Sequence, residues 1–263
     1  MELTLLQSII FGMVQGITEF LPISSSGHLV LVQYIFGIEE PPVSFFVLLH
    51  VGSLAAVLLY FWRDWLNLFG LRKDMKVYQQ NPKLLLYIII ATIPAIIFGL
   101  LFNDTAESLI FSPIVVAFLI VIGSFILFLA DKLFAKDVSM EKMTLKNSVV
   151  IGIAQILALV PGVSRSGMTI AGARVCGLNR EDAARFSFLI ATPIIAGAGV
   201  MQLKHLINDG VDIVMIVGML VSFVVAILTI HYFLAFIKKV SYAVFLYYSL
   251  GLFAIVSIAF YLK

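Results

Sequence analysis

The sequence is poor in cysteine and in charge. Cys176 is the single cysteine among 263 residues, which excludes an intramolecular disulfide framework and a metal cluster built on several cysteines. Only 12% of the residues are charged, whereas a soluble domain carries about a quarter. The net charge of +2 also lacks the strongly basic balance of a nucleic-acid-binding protein. We therefore expect neither a soluble domain nor a nucleic-acid partner.

Long apolar stretches fill the chain instead. Hydrophobic residues make up 62% of it, among them 22 phenylalanines. Several stretches reach the roughly 20 residues that a helix needs to cross the hydrocarbon of a bilayer. The segment Met1–Ile10 has neither the basic region nor the cleavage site of a signal peptide. We predict an all-α integral membrane protein with about six transmembrane helices, at Val43–Trp62, Leu84–Phe102, Pro113–Ala130, Phe186–Leu206, Ile213–Ile237 and Tyr242–Leu262.

Two further apolar segments, Leu3–Phe36 and Leu145–Gly177, contain related motifs about 140 residues apart. A proline precedes the serine cluster closely in both segments. A chance match of small residues is the alternative, but position, spacing and topology together favour an internal repeat. The matched pairs are Gly12-x-x-Gln15 with Gly152-x-x-Gln155, Ser24-Ser25-Ser26-Gly27 with Ser164-Arg165-Ser166-Gly167, and Pro22 with Pro161.

The distribution of basic residues predicts the topology. Lysine and arginine concentrate after the first, third and fifth spans, whereas the connection Asn103–Ser112 is acidic through Asp104 and Glu107. The positive-inside rule then places the basic loops in the cytoplasm and both termini outside. The basic loops all lie on the cytoplasmic side only if Leu3–Phe36 and Leu145–Gly177 are re-entrant helical hairpins that return to the side from which they enter.

The predicted organisation is one membrane domain over residues 1–263, built as an inverted repeat. Repeat one covers about residues 1–131, and repeat two covers about residues 145–263. Each repeat consists of one re-entrant hairpin and three spans, so an odd number of crossings inverts the second repeat relative to the first. The two hairpin tips can then meet near the bilayer midplane, an arrangement known from membrane proteins with broken helices.

Chemistry at the hairpin tips points to a phosphate group. Proline ends a helix and serine caps the start of the next, so we expect new helices within Ser24–Ser26 and after Ser164 or Ser166. Helix N-termini attract anions, and two of them facing one point suit a diphosphate. Simple helix capping is the alternative. The predicted diphosphate-binding residues are Ser24, Ser26, Gly27, Ser164, Ser166, Gly167 and Thr169.

The first hairpin also has ionisable side chains. Glu19 lies in an apolar stretch, one helical turn after Gln15, and a carboxylate at such a depth is a functional-site candidate. Its expected partners are a divalent cation, His28 and Arg165; a structural ion pair with Arg165 is the alternative. Arg165 offers a planar fork for phosphate oxygens. His50, in the first span, is interpreted as a helix–helix hydrogen-bonding residue rather than a catalyst.

These motifs resemble one known family. Gln15-Gly-Ile-Thr-Glu-Phe-Leu-Pro-Ile-Ser-Ser-Ser-Gly-His28 resembles the (E/Q)xxxE segment and serine-rich turn of bacterial undecaprenyl-diphosphate phosphatases of the bacitracin-resistance type. Pro161-Gly-Val-Ser-Arg-Ser-Gly-Met-Thr169 is similar to that family's PGxSRSxxT segment. The resemblance covers essentially the whole chain. Gln15 stands where part of the family has glutamate, which leaves Glu19 as the carboxylate of this helix.

The resemblance implies a plasma-membrane enzyme that converts undecaprenyl diphosphate to the monophosphate. Such an enzyme recycles the carrier lipid for peptidoglycan synthesis, confers bacitracin resistance and requires a divalent cation, Mg²⁺ or Ca²⁺. Ser25, His28, Glu19 and Arg165 become the predicted catalytic residues, and Glu19 and Gln15 the predicted metal ligands.

The predicted mechanism has Ser25 as nucleophile, with His28 or Glu19 taking its proton and Arg165 stabilising the phosphoryl oxygens. A metal-bound water is the alternative nucleophile. The rival class of function is a transporter or flippase of an anionic lipid, in which Glu19 and His28 would couple to protons. The site is expected to open on the extracytoplasmic side, and a homodimer is left open.

Overall fold

A computed structural model describes residues 3–101, 112–134 and 136–262 of the chain. Within these ranges the secondary structure is helical, and the ranges contain no β-strand, only an isolated bridge between Val138 and Leu178. The helices are α1 Leu5–Thr18, α2 Ser25–Phe36, α3 Val43–Tyr60, α4 Trp62–Leu68, α5 Lys76–Gln80, α6 Leu84–Leu101, α7 Pro113–Leu133, α8 Leu145–Ile156, α9 Arg165–Val175, α10 Arg180–Met201, α11 Leu203–Asp209, α12 Ile213–Ile237 and α13 Ala243–Leu262.

Six of the described helices, α3, α6, α7, α10, α12 and α13, are long and apolar enough to cross a bilayer. This confirms the predicted all-α membrane fold with about six spans. The fourth span begins at Arg180 rather than Phe186, because the side chain of Asn179 accepts a hydrogen bond from the backbone of Asp182 and caps the helix there. The predicted end of the second span at Phe102 and the acidic loop with Asp104 and Glu107 lie outside the described residues.

The outer surface of these spans is apolar. Only 17–50% of each span is buried inside the protein, and large hydrophobic side chains such as Leu100 and Tyr247 point outward. A soluble protein rarely exposes a contiguous apolar area of this kind. A hydrocarbon environment covers it without cost, because helices satisfy their own backbone hydrogen bonds. The chain is therefore a multi-pass membrane protein.

Two pairs of shorter helices share one local design. Both α1 and α8 begin with a threonine capping box, formed by Thr4 with Gln7 and by Thr144 with Asn147. The helix that follows in each pair, α2 or α9, begins directly after a serine N-cap. This likeness agrees with the predicted repeat. The re-entrant path and the inverted orientation stay predictions.

The short helices pack across the two halves of the chain. Helix α1 lies against α12 and α3, and α8 lies against α6. Glycines permit the close approach of α1: a Cβ atom at Gly12 would lie 2.5 Å from the carbonyl oxygen of Gly218, and one at Gly16 would lie 2.7 Å from that of Ser222. The residues that follow α1 and α8 are thereby held inside the helix bundle. We call residues 19–27, between α1 and the start of α2, the first turn, and residues 157–167, between α8 and the start of α9, the second turn.

Candidate active site

Serine N-caps organise both turns, as the sequence predicts. Ser24 and Ser164 have φ values of 71° and 75°, a region that residues with a Cβ seldom adopt. Each hydroxyl accepts a hydrogen bond from the backbone N–H three residues later, that of Gly27 at 3.3 Å and that of Gly167 at 3.1 Å. Strained backbone at two matched positions is typical of a functional site.

A side chain in place of either glycine after these caps would crowd the cap hydroxyl. A Cβ atom at Gly27 would lie 3.2 Å from the Ser24 hydroxyl, and one at Gly167 would lie 3.2 Å from that of Ser164. Each cap satisfies the third N–H of its helix, and helix geometry leaves the first two N–H groups for another acceptor. Two helix N-termini therefore present backbone donors to the space between them.

Direct contacts join the two turns. The Ser166 hydroxyl donates a 2.9 Å hydrogen bond to the carbonyl oxygen of Leu21. The Nη2 atom of Arg165 lies 2.5 Å from Oε1 of Glu19, so the arginine of the second turn pairs with the carboxylate of the first. The start of α9 thus contacts the residues that follow α1, and a meeting of the two hairpin tips near the bilayer midplane stays a prediction.

Glu19 is the centre of the polar contacts. Its side chain is 6% exposed, and its Oε2 atom accepts hydrogen bonds from the Ser25 hydroxyl at 2.6 Å and from Nε2 of Gln15 at 3.0 Å. The Nε2 atom of His50 lies 3.7 Å from the same oxygen. The carboxylate therefore touches the serine predicted to be the nucleophile and, through its other oxygen, the arginine predicted to bind phosphate.

A cavity of about 210 Å³ opens on this cluster. Its polar wall is formed by both serine clusters, Glu19, Arg165 and His50. The residues that line it are Thr18, Glu19, Ser24, Ser25, Ser26, His50, Ala158, Val160, Gly162, Ser164, Arg165, Ser166, Ile194, Ile195 and Ala198.

Five predicted site residues do not line this cavity: Gln15, Gly27 and Gly167, together with His28 and Thr169, whose side chains point to neighbouring helices. The ring of His28 is 2.7 Å from the carbonyl oxygen of Ser24 through Nδ1 and 2.8 Å from the Tyr248 hydroxyl through Nε2. Thr169 is fully buried, and its hydroxyl lies 2.6 Å from that of Ser187. Both residues support the turns: His28 connects α2 to α13, and Thr169 connects α9 to α10.

His50 is the imidazole that the structure brings to the cavity, and sequence reasoning did not place it there. Its Nδ1 atom lies 2.8 Å from the carbonyl oxygen of Phe46. A carbonyl can only accept a hydrogen bond, so Nδ1 carries a proton, and Nε2 is the ring nitrogen that faces Glu19. The signal in the sequence was the presence of an ionisable ring inside a span, where such groups are costly.

The two predicted cation ligands, Glu19 and Gln15, contact each other. The amide Oε1 of Gln15 is buried without a hydrogen-bond partner, one helical turn from Glu19. Among the residues that the structure describes, no group of three or more histidine, cysteine or acidic side chains comes together. The protein therefore offers hard oxygen ligands for only part of a coordination shell, which is the usual situation for Mg²⁺ bound to a phosphate substrate.

The chain is similar to proteins of one known family. The model of the bacitracin resistance protein BacA matches residues 8–256. Undecaprenyl-diphosphatase of Moorella thermoacetica is 41% identical over 99% of this chain and 100% of its own length. Undecaprenyl-diphosphatase of Saccharophagus degradans is 44% identical over 96% of this chain and 98% of its own. The sequence motifs, the joined turns and the matched length lead to one conclusion: the chain belongs to the bacitracin resistance protein BacA family.

Proposed function

We propose that this protein hydrolyses undecaprenyl diphosphate to undecaprenyl phosphate and phosphate, and so recycles the carrier lipid of cell-wall synthesis. One observation supports this assignment most directly. The Ser25 hydroxyl donates a hydrogen bond to the carboxylate of Glu19, and this carboxylate is also paired with Arg165. Ser25 and Arg165 are themselves the first residues of two helices, so both helix N-termini lie at this pair. A nucleophile, a base and a set of phosphate-binding donors thus surround one small cavity.

The reaction begins at the terminal phosphorus of the lipid diphosphate. Ser25 Oγ forms a bond to this phosphorus while its proton passes to Glu19, 2.6 Å away. The bond from phosphorus to the bridging oxygen breaks, and undecaprenyl phosphate leaves with the electron pair of that bond. Water then attacks the phosphorus of the phosphoserine, and the bond from phosphorus to Ser25 Oγ breaks. Glu19 returns its proton to Ser25 Oγ, and inorganic phosphate leaves with the oxygen and both hydrogens of the water.

Charge on the phosphoryl oxygens is stabilised from two sides. The N-termini of α2 and α9 supply backbone N–H groups and the positive ends of their helix dipoles. The guanidinium of Arg165 supplies a positive charge, and its Nη1 atom is buried without a partner. Electrostatic stabilisation of this kind is the main contribution of a protein to phosphoryl transfer.

We propose that His50 has a part in this chemistry. Its Nε2 atom lies 3.7 Å from the carboxylate oxygen that accepts the hydrogen bond of Ser25. Glu19 is therefore the immediate base, and His50 is the second group that can receive a proton within the cavity. His28 has a supporting role in this scheme, because both of its ring nitrogens are engaged outside the cavity.

A divalent cation, Mg²⁺ or Ca²⁺, fits the donors of this site. Glu19 and the unpaired amide oxygen of Gln15 would hold it, together with oxygens of the substrate. When bound, the cation supplies positive charge to the phosphoryl oxygens. The carboxylate would then share its oxygens between the cation, Ser25 and Arg165.

We further propose a plasma-membrane location with both termini and the opening of the site on the extracytoplasmic side. The basic connections after the first, third and fifth spans support this orientation. The cavity is lined by the C-terminal part of α10, which runs outward from the basic residue Arg180 in this topology. Accessibility of a Ser24→Cys variant to an impermeant thiol reagent, applied from each side, measures the orientation.

Phosphate release tests the assignment directly. Purified protein in detergent, supplied with Mg²⁺, should release phosphate from undecaprenyl diphosphate, and Ser25→Ala should leave only a small residual rate of release. Ser257→Ala is a matched control, because it removes a hydroxyl that only donates to a backbone carbonyl of α13. Absence of release by the unmodified protein, together with lipid movement in vesicles, would favour the transporter or flippase.

A further inference from the structure

A polar pocket lies beside α4 and α5, away from the candidate active site. It has a volume of about 370 Å³, and its walls include Arg72 and Lys73 together with the amides of Asn67 and Asn81. The described residues that line it do not line the cavity at Glu19. Its volume falls within the roughly 300–1,000 Å³ of ligand pockets.

Hydrogen bonds hold the walls of this pocket in place. Oδ1 of Asn67 accepts hydrogen bonds from the backbone N–H groups of Asp74 and Met75, both at 3.2 Å. Nδ2 of Asn81 donates a 3.0 Å hydrogen bond to the carbonyl oxygen of Met143. The loop between α4 and α5 is therefore fixed before a ligand binds, which lowers the entropic cost of binding.

The charges around the pocket favour an anion. Arg72 pairs with Asp74 through Nε at 2.5 Å, in an ion pair whose side chains are 41% and 42% exposed. Lys73 is exposed and has no ion-pair partner among the described residues. Residues 62–83 contain five basic and two acidic side chains, and one of the acidic ones, Asp64, is buried in an ion pair with α10. The segment is therefore strongly positive.

An apolar groove of about 500 Å³ lies between the end of α3, α4 and the middle of α10. Trp62 and Phe69 line it and are 44% and 60% exposed. At its other end lies Thr192, about 18 Å along the helix from Arg180 at about 1.5 Å per residue. In the proposed topology Arg180 is at the cytoplasmic end of its span. The groove then reaches from the interface to about the middle of the roughly 30 Å hydrocarbon, which is the length of one acyl chain.

The pocket and the groove adjoin. Phe69 lines the groove, and the next residue, Gly70, lines the pocket. Arg72 lines the pocket, and its guanidinium carbon lies 5.8 Å from the ring centre of Trp62, which lines the groove. A ligand that occupies both must therefore be an amphipathic anion, with its charge near Arg72 and its apolar chain against the tryptophan.

We propose that the pocket and the groove together bind an anionic phospholipid of the cytoplasmic leaflet. Its phosphate lies beside Arg72 and Lys73, and one acyl chain lies in the groove. Basic pockets at the cytoplasmic side of membrane helices suit anionic head groups. The groove joins α3 and α4 to α10, and α10 also lines the candidate active site through Ile195 and Ala198. The bound lipid therefore stabilises the position of a helix that forms the site. The proposal uses the proposed orientation and does not depend on the phosphatase assignment.

The experiment compares two lipids with the same chains. Native mass spectrometry of the purified protein in detergent measures the binding of dioleoyl phosphatidylglycerol and of dioleoyl phosphatidylcholine. The anionic lipid should bind at one saturable site, at least about tenfold more tightly than the zwitterionic one, and should raise the melting temperature.

Lysine variants test the pocket. Lys73→Gln should raise the Kd of phosphatidylglycerol about fivefold, the contribution of one lysine close to an anionic lipid. Lys146→Gln is the matched control, because it removes an exposed lysine that does not line the pocket. Equal weakening in both variants would show a diffuse surface charge and overturn the proposal.

Alanine variants test the groove. Ala196 lines it, so Ala196→Leu should displace part of the acyl chain and raise the Kd of phosphatidylglycerol about tenfold. Ala254→Leu, at an exposed position of α13 outside the groove, should leave the Kd unchanged. If Ala196→Leu fails to fold, Lys73→Gln still decides, because its side chain has no ion-pair partner among the described residues.

Two further outcomes would overturn the proposal. Equal affinity for the two lipids would show that the groove alone selects the ligand. Displacement of phosphatidylglycerol by an equal concentration of glycerol phosphate would show a pocket for a soluble anion rather than for a lipid. Phosphate release is measured in neither arm, so a failure of the phosphatase assignment would leave this result unchanged.

Discussion

Replacing Glu19 with glutamine removes one charge from the centre of the site and keeps the size of the side chain. A glutamine oxygen can still accept the hydrogen bond of the Ser25 hydroxyl, now 2.6 Å from the carboxylate, but it cannot take the proton. The loss of a general base lowers rates by about 10²–10⁴-fold. At about 1.4 kcal/mol for each tenfold, this corresponds to about 3–5 kcal/mol of transition-state stabilisation.

The mechanism makes a sharper prediction for the double variant. If Glu19 acts by deprotonating Ser25, then Ser25→Ala already removes everything that Glu19→Gln removes. The double variant should therefore turn over within about twofold of Ser25→Ala alone, whereas independent residues would give the product of the two losses. Multiplicative losses in a single-turnover assay of phosphate release in detergent would refute the Glu19–Ser25 pair.

Stability needs a separate control, because Glu19→Gln leaves Arg165 without its counter-charge. Breaking a fully buried ion pair costs about 3–5 kcal/mol, and the 15% exposure of Arg165 beside a cavity reduces that cost. Glu181→Gln is the matched control: it breaks an ion pair with Lys238 in which both side chains are exposed, which is worth about 1 kcal/mol or less. Thermal unfolding in detergent reports both effects.

Three further predictions follow from contacts around the site. His50→Ala should lower kcat by about 10²-fold or more at unchanged stability. His28→Ala should mainly lower the melting temperature, because it removes two hydrogen bonds worth about 1 kcal/mol each. Equal losses of kcat in the two variants would contradict the assignment of His50 to the chemistry and His28 to support. Ser166→Ala removes the hydrogen bond to the Leu21 carbonyl and should destabilise the protein by about 1–3 kcal/mol in thermal unfolding. Asp64→Asn leaves Arg185 on α10 without its counter-charge. The cost in the same assay should stay below the about 3–5 kcal/mol of a fully buried pair, because Arg185 is 23% exposed, and kcat of the folded fraction should not change.

Local rules were enough to predict the turns. Serine after proline predicts an N-cap, and the structure has Ser24 and Ser164 in this role. The spacing of Gln15 and Glu19 predicts a shared helix face, and the two side chains form a hydrogen bond. These features depend on residues within one or two helical turns, which is the range over which sequence spacing fixes geometry.

Contacts between distant helices were harder to predict. Which imidazole faces Glu19 depends on how α3 rotates against α1, and that rotation is set by packing rather than by spacing. Thr169 lies one turn after Arg165 but turns to Ser187 on the neighbouring helix. Arg185, near the start of α10, pairs with Asp64, a buried residue 121 positions earlier that no local spacing connects to it.

The packing of α1 sets the order in which the protein can be completed during synthesis. The chain is made from its N-terminus, so α1 enters the membrane long before α12, the helix against which it packs. The counter-charge of Glu19 is Arg165, which lies 146 residues later in the chain and is therefore made much later. Until then, the carboxylate that follows α1 has no arginine partner. Helix α1 therefore reaches its final contacts only after α12 has been made.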